Sequence, residues 1–189
     1  MARAGDVIEN PVTGERITFL ETSEDTSGEL LRFEYVLRPG FSIPEHVHPR
    51  QEERHEVISG TLWGCVGGRG QIFREGQGVV GPPGVPHAYR NPSINEELRL
   101  VSSIRPPLRF ETLFETGYGL AREGKTTRQG IPKNPLQLAV LVDATGDMFY
   151  PTGVPMPVFR AVLTLFAVLA FVGRALGYRA RYPRYSDPE

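Results

Sequence analysis

The chain has 189 residues, with 21 Lys and Arg against 22 Asp and Glu. That length suits one domain of ordinary size, and the near-balance of charge gives no basic face for nucleic acid. The single cysteine excludes both an intramolecular disulfide framework and a zinc site built from several cysteines. We expect a protein of the reducing cytoplasm, because the first residues carry no apolar run like that of a secretory signal.

Residues 1–106 have the sequence pattern of β-strands, and we predict that they form the first structural unit. Apolar and charged residues alternate through "ELLRFEYVL", and a period of two recurs between Leu98 and Ile104. Glycine and proline interrupt the segment every few residues. Many short strands with frequent turns predict a sandwich, a barrel or a jelly roll.

Residues 107–189 change to helical patterns, and we predict a helical extension packed on the β-structure. Apolar residues recur at helical spacing through 108–123. Asn134 before Pro135 predicts a helix start, with the helix reaching about Met148. A third helix is predicted over 158–176, ending at Gly177.

The most apolar stretch lies within the third predicted helix, from Ala161 to Gly173. Its thirteen charge-free residues are fewer than the roughly 20 that cross a bilayer. The sequence therefore predicts a buried or amphipathic helix and no membrane span. Because this helix is apolar around most of its circumference, we expect burial on more than one side, against the barrel or in a subunit interface.

The histidines of the chain are concentrated in the β-type sequence. All four lie within 42 residues, at His46, His48, His55 and His87. His46 and His48 are two residues apart, so a strand would place both on one face. Together with Glu53, three imidazoles and one carboxylate make a donor set that suits Fe, Mn, Ni, Zn, Co or Cu.

These residues fall into two spaced motifs. The first reads "GFSIPEHVHPRQEERHEVISG" from Gly40 to Gly60, and the second reads "GQGVVGPPGVPHAYRN" from Gly76 to Asn91. Together they resemble the two motifs of the cupin superfamily. All ten defined positions are filled: Gly40, His46, His48, Glu53, Gly60, Gly76, Pro82, Gly84, His87 and Asn91.

The resemblance implies a mainly β fold, a double-stranded β-helix or jelly-roll barrel, here with a C-terminal extension of three helices. It also implies one divalent transition metal per chain (Fe, Mn, Ni or Zn), held by His46, His48, Glu53 and His87. The spacing to Gly60 favours Glu53 over Glu52 as the ligand. Four ligands on an octahedral ion leave two positions open, as at a catalytic site. Cupin barrels commonly pair, so we expect a homodimer.

Several further residues are candidates for the site. His55 lies two residues after Glu53, so a strand would put both on the inward face; His55 is then a polar wall residue, an acid/base or supporting group, or a fifth ligand. Glu53 is a second candidate for proton transfer. The predicted substrate pocket comprises Tyr89, Phe41, Tyr35, Phe33 and Gln51, although these side chains could equally pack in the barrel wall.

Two functions stay open at this point. The favoured one is a mononuclear metalloenzyme that acts on a small organic molecule, by dioxygenase-like or by isomerase- or lyase-like chemistry. The other is a non-catalytic module that binds or senses a metal or metabolite, with the helical extension contacting other proteins. A binding module should tolerate substitution of His55 or Tyr89, whereas an enzyme that uses them should keep its metal and lose turnover.

Overall fold

The structure is a computed structural model that describes residues 2–186. Its strands are β1 (Val7–Asn10), β2 (Glu15–Glu21), β3 (Leu31–Leu37), β4 (Ser42–Val47), β5 (Glu52–Ser59), β6 (Thr61–Val66), β7 (Arg69–Arg74), β8 (Gly78–Gly81), β9 (His87–Arg90), β10 (Leu98–Arg105) and β11 (Tyr150–Pro151). Its helices are α1 (Phe110–Arg122), α2 (Pro135–Thr145), α3 (Met156–Ala175) and the short α4 (Pro183–Ser186).

The strands form two antiparallel sheets that share one hydrophobic core. The first has the order β1-β2-β3-β10-β5-β8, and the second has the order β11-β4-β9-β6-β7. Strands far apart in the sequence lie side by side, as β10 does between β3 and β5, in the manner of a jelly roll. The prediction of a mainly β, jelly-roll fold with helices at the C-terminal end is confirmed.

The core is built by the alternation seen in the sequence. Along β10, the side chains from Leu98 to Ile104 are buried at every second position. Along β5, Glu53 and His55 face inward while Glu52 and Arg54 face the solvent. The turn after β5 requires glycine, because Gly60 has a φ of +87° and an added Cβ would lie 2.6 Å from a main-chain oxygen.

The residues after β10 are helical, and they also complete the β-structure. Asn134 caps α2 as predicted, since its side-chain oxygen accepts hydrogen bonds from the main-chain nitrogens of Leu136 and Gln137. The helix ends at Thr145, before the predicted Met148. Met148 is instead buried in the barrel core, and β11 pairs with β4. A domain boundary at residue 106 stays a prediction.

Helix α3 corrects the prediction made for the apolar stretch. Only Ala170 and Gly173 of this helix are buried, in a small cluster with α2. The opposite side faces the solvent, with Phe171 76% exposed. The expectation of burial on several sides is wrong within this chain, because α1 and Met148 already cover the barrel core. Helix α3 packs mainly on α2, with Phe159 beside Tyr150 of β11.

Among the described residues, α3 is also the one helix long and apolar enough to cross a membrane, judged by length and composition alone. That criterion is weak by itself. Both flanks of the helix are tied to the rest of the fold, because β11 pairs with β4 before it and Thr116 of α1 donates a hydrogen bond to Ala180 O after it. The absence of a membrane span and the homodimer stay predictions.

Candidate metal centre

Four side chains converge between the two sheets. His46 lies on β4, opposite His87 at the start of β9, and His48 follows the end of β4. Glu53 comes from β5 in the other sheet. One ligand atom from each of the four residues lies within 4.8 Å of the others. The jelly-roll topology thus brings both motif segments to one point.

The three histidines are held by hydrogen bonds to main-chain carbonyls. The Nδ1 atoms of His46, His48 and His87 each lie 2.8 Å from a carbonyl oxygen, those of Pro44, Met148 and Val85 respectively. Because a carbonyl oxygen only accepts, each Nδ1 carries the hydrogen and each Nε2 presents a lone pair. This is the way in which proteins orient histidine ligands toward a metal.

The Nε2 lone pairs meet one another and the carboxylate. His46 Nε2 and His48 Nε2 are 3.1 Å apart, and Glu53 Oε2 lies 3.4 Å from His87 Nε2. Glu53 Oε2 and His87 Nε2 have no hydrogen-bond partner among the described residues. Facing lone pairs repel unless a cation lies between them, so this geometry fits a bound metal ion.

Burial sets the charges of the cluster. It lowers the pKa of His46 to about 4 and also lowers the pKa of His48, because an imidazolium loses its hydration there. Burial alone would raise the pKa of Glu53, but the neighbouring His55 and the other histidines outweigh it and hold that pKa well below its ordinary value. Neutral imidazoles beside an ionised carboxylate are the protonation states that bind a divalent cation.

The donor set also fits the size of a transition-metal site. Nitrogen ligands about 2.1 Å from one ion in adjacent positions lie about 3 Å apart, close to the 3.1 Å between His46 Nε2 and His48 Nε2. Three nitrogens and one oxygen are donors that Fe, Mn, Ni and Zn share. The cluster could therefore hold one such ion.

Comparison with known families agrees with this geometry. The family model described as a cupin domain matches residues 33–104, which contain all four of these side chains. Residues 33–104 of the chain belong to the cupin superfamily.

Two curated relatives each match 71 residues of this chain. One is polyketide synthase CurC of Streptomyces cyaneus, 37% identical over 71 residues, which are 38% of this chain and 46% of the relative. The other is protein SchB of Streptomyces halstedii, 38% identical over 71 residues, which are 38% of this chain and 51% of the relative. The match thus spans about half the length of each relative.

Solved structures are similar at lower identity. A predicted oxalate decarboxylase from Thermotoga maritima aligns with a TM-score of 0.48 at 19% identity, covering 56% of this chain and 98% of that one. An RmlC-like cupin from Shewanella frigidimarina aligns with a TM-score of 0.46 at 22% identity, covering 52% of this chain and 82% of that one.

His55 lies behind the candidate metal ligands, on the side away from the cavity. Its Nδ1 lies 2.7 Å from Ser102 Oγ, and its Nε2 lies 3.6 Å from Glu53 Oε1. Its ring packs edge-on against Tyr89, with the ring centroids 4.4 Å apart. His55 is not among the residues that line the cavity beside the cluster. Of the roles predicted from the sequence, that of a group supporting Glu53 therefore agrees best with its position.

A cavity of about 560 Å³ opens beside the candidate metal ligands, of which His46, His48 and Glu53 line it. Phe33, Tyr35 and Phe41 line it, as the predicted pocket requires. Tyr89 and Gln51 are fully buried and are absent from the described lining. Tyr89 packs on His55, and Gln51 points toward the main chain of the segment before α1. Their inferred substrate contacts stay predictions, and the structure gives those contacts no support.

The sequence interpretation missed the wall that the C-terminal part contributes. Phe110, Phe114 and Tyr118 of α1 line the cavity, together with Phe149 before β11. The signal was present, because the three α1 residues recur every four positions and so share one helix face. What the pattern could not indicate is that this face covers the opening of the barrel.

Proposed function

We propose that this cupin is a mononuclear metalloenzyme acting on a small organic molecule, with one divalent transition metal held by His46, His48, Glu53 and His87. One observation carries the proposal. Three Nε2 lone pairs, fixed by carbonyl contacts on the far side of each ring, meet an ionised carboxylate at the end of a deep cavity. A purely structural cluster would not need an adjoining cavity of about 560 Å³.

The metal would supply Lewis-acid polarisation of a bound oxygen and, if it is redox-active, reaction with O₂. The protein's own residues prepare the site for this chemistry. The rings of Phe110 and Phe149 stand beside His48, with centroids 5.5 and 6.2 Å away, and restrict water around the ligands. His55 holds Glu53 in its ionised form from the buried side.

Dioxygenase-like chemistry is the class that the cavity supports best. An isomerase or lyase needs a side chain that exchanges protons with the substrate. Of the two candidates, His55 lies outside the cavity lining, and Glu53 lines the cavity but would be engaged as a metal ligand. A dioxygenase that adds both atoms of O₂ to its substrate and takes the electrons from that substrate needs no external reductant. The name of one relative, polyketide synthase CurC, adds oxygen-rich polyketide-type molecules to the substrates worth testing.

Oxygen uptake by the metal-loaded protein tests this function. Catechols, enediols and hydroxylated quinones are supplied in turn, and we expect consumption of O₂ with at least one of them. Glu53→Gln should abolish it. Glu52→Gln is the matched control, because the adjacent carboxylate faces the solvent, and it should keep the rate. Equal rates for the two variants, or no uptake by the wild type with any of these compounds, would contradict the oxygenase proposal.

A second candidate, a non-catalytic metal- or metabolite-binding module, is favoured by one observation: His55, a candidate acid or base, is not among the described residues that line the cavity. The two candidates differ in their response to His55→Ala. A binding module keeps its affinity for a bound molecule when this side chain is removed. An enzyme keeps its metal and slows, because Glu53 loses the group that holds its charge.

A further inference from the structure

The cavity ends, opposite the metal centre, in a second polar group of side chains. Glu15 of β2, Tyr35 of β3 and Tyr118 of α1 line it there, and we name these three residues the polar clamp. Tyr118 donates a hydrogen bond of 3.0 Å to Glu15 Oε1, and Tyr35 donates to the same oxygen. Thr13 donates to Oε2. Neither motif of the cupin domain includes the three clamp residues.

A row of aromatic rings connects the clamp to the metal centre. Ring centroids are 5.5 Å apart from His48 to Phe110, 5.5 Å from Phe110 to Phe114 and 6.0 Å from Phe114 to Tyr118. Phe110 and Tyr118 are eight residues apart on one helix, which corresponds to a rise of about 12 Å. The two polar ends of the cavity are therefore separated by roughly that length of apolar wall.

The clamp offers hydrogen-bond acceptors to the cavity. The hydroxyl hydrogens of Tyr35 and Tyr118 are used on Glu15, so the phenol oxygens and the carboxylate retain only lone pairs for a ligand. Burial, reinforced by nearby Glu15, raises the pKa of both tyrosines well above the ordinary value, so they stay protonated. A ligand group that meets the clamp must donate a hydrogen, and an anionic group would be repelled.

We infer that the polar clamp is a second recognition site, and that the bound molecule is an extended, flat one with chelating oxygens at one end and a hydrogen-bond donor, a hydroxyl or an ammonium, about 12 Å away. The chelating end rests on the proposed function, whereas the donor end rests on the clamp alone. Aromatic side chains on β3 and on α1, with Phe41 before β4 and Phe149 before β11, favour a fused-ring aromatic molecule between the two ends.

Three matched probes test the inference on the metal-loaded, full-length protein. They are 1,2-dihydroxyanthraquinone and its derivatives with a hydroxyl or a carboxylate at carbon 6, on the ring opposite the chelating pair. Binding is followed by the change in visible absorbance on chelation. For the wild type we expect the 6-hydroxyl probe to bind about tenfold more tightly than the parent, as for a hydrogen bond to a charged group, and the carboxylate probe to bind more weakly than the parent.

Glu15→Gln should bring the affinities of the two derivatives close to that of the parent probe. The parent's own affinity and the metal content should change less than twofold. Glu21→Gln, on the same strand but outside the cavity, should leave the order intact. A role of Glu15 in packing alone would instead weaken all three probes equally, and that result would overturn the inference. The relative affinities of the three probes for the wild-type protein can be measured without any variant. They therefore test the inference even if Glu15→Gln fails to fold.

Failure of the inference is distinguishable from failure of the proposed function. If all three probes chelate the metal with equal affinity, and Glu53→Gln removes that binding, the metal site stands and the clamp is overturned. If none of the probes binds and the purified protein cannot be loaded with metal, the proposed function falls, and the inference about the ligand falls with it.

Discussion

Helices α1 and α3 are both apolar segments of the C-terminal part, but α1 packs on the barrel whereas most of α3 is exposed to solvent. The apolar residues of α1 lie on one side, and that side closes the cavity and joins the barrel core. The apolar residues of α3 surround the helix, and its buried residues form one stripe that packs on α2. The comparison shows that a one-sided pattern indicates where a helix packs, whereas total apolarity predicts only that a helix forms.

The largest effect on stability is expected on the α1 side. Phe110 is 6% exposed and contacts both His48 and Phe114. Phe110→Ala should lower the free energy of unfolding by about 3 kcal/mol, through lost burial and the space left behind. Urea denaturation with an unchanged m-value measures this. A loss below about 1 kcal/mol would mean that α1 is not part of the barrel's cooperative unit.

Two glycines sharpen the comparison because each lies on one of the two helices. An added Cβ at Gly173 of α3 would lie 2.9 Å from Val140 and 3.0 Å from Leu136 O, whereas at Gly117 of α1 it meets nothing within 4 Å. We expect Gly173→Ala to destabilise by about 1–2 kcal/mol and Gly117→Ala to stabilise by about 0.5–1 kcal/mol. Thermal unfolding of both variants checks this. Stabilisation by Gly173→Ala, of the kind expected for Gly117→Ala, would contradict the described α2–α3 contact.

A smaller effect is expected at the start of α2. Asn134 Oδ1 accepts from two main-chain nitrogens, so Asn134→Ala should cost about 1 kcal/mol. Asn134→Asp is the matched control, because it preserves the acceptor and should cost much less. If both substitutions cost equally, the hydrogen bond from Asn134 Nδ2 to the Tyr178 hydroxyl, rather than the cap, holds this helix.

The smallest effect is expected on the open side of α3. Phe171 is 76% exposed, so Phe171→Ser should change the free energy of unfolding by less than about 0.5 kcal/mol. Chemical denaturation at two protein concentrations measures it. A loss of several kcal/mol, or stability that rises with concentration in the wild type alone, would show that this face is covered in solution and that α3 resembles α1 after all.

Local spacing carried most of what could be predicted about the site. The alternation of β5 places Glu53 inward and Glu52 outward, and the motif positions bring His46 and His87 to opposite places on paired strands. The same rule put Tyr89 inward correctly but could not separate the cavity wall from the packed layer behind it, because both are inward-facing.

The contacts that the C-terminal part makes with the site could not be predicted from local sequence patterns. The carbonyl that orients His48 belongs to Met148, a hundred residues away. Tyr118 reaches Glu15 across 103 positions. Both contacts depend on the path by which the C-terminal part returns over the barrel, and neither hydropathy nor spacing encodes that path.

The central claim is that His46, His48, Glu53 and His87 form one metal site. Elemental analysis of protein purified without an affinity tag or added metal tests it most directly, with the double variant His46→Ala/His48→Ala prepared in parallel. We predict close to one equivalent of a divalent transition metal per chain in the wild type and almost none in the variant. Equal metal content in the two proteins, or a wild type that neither contains metal nor takes it up on reconstitution, would contradict the account.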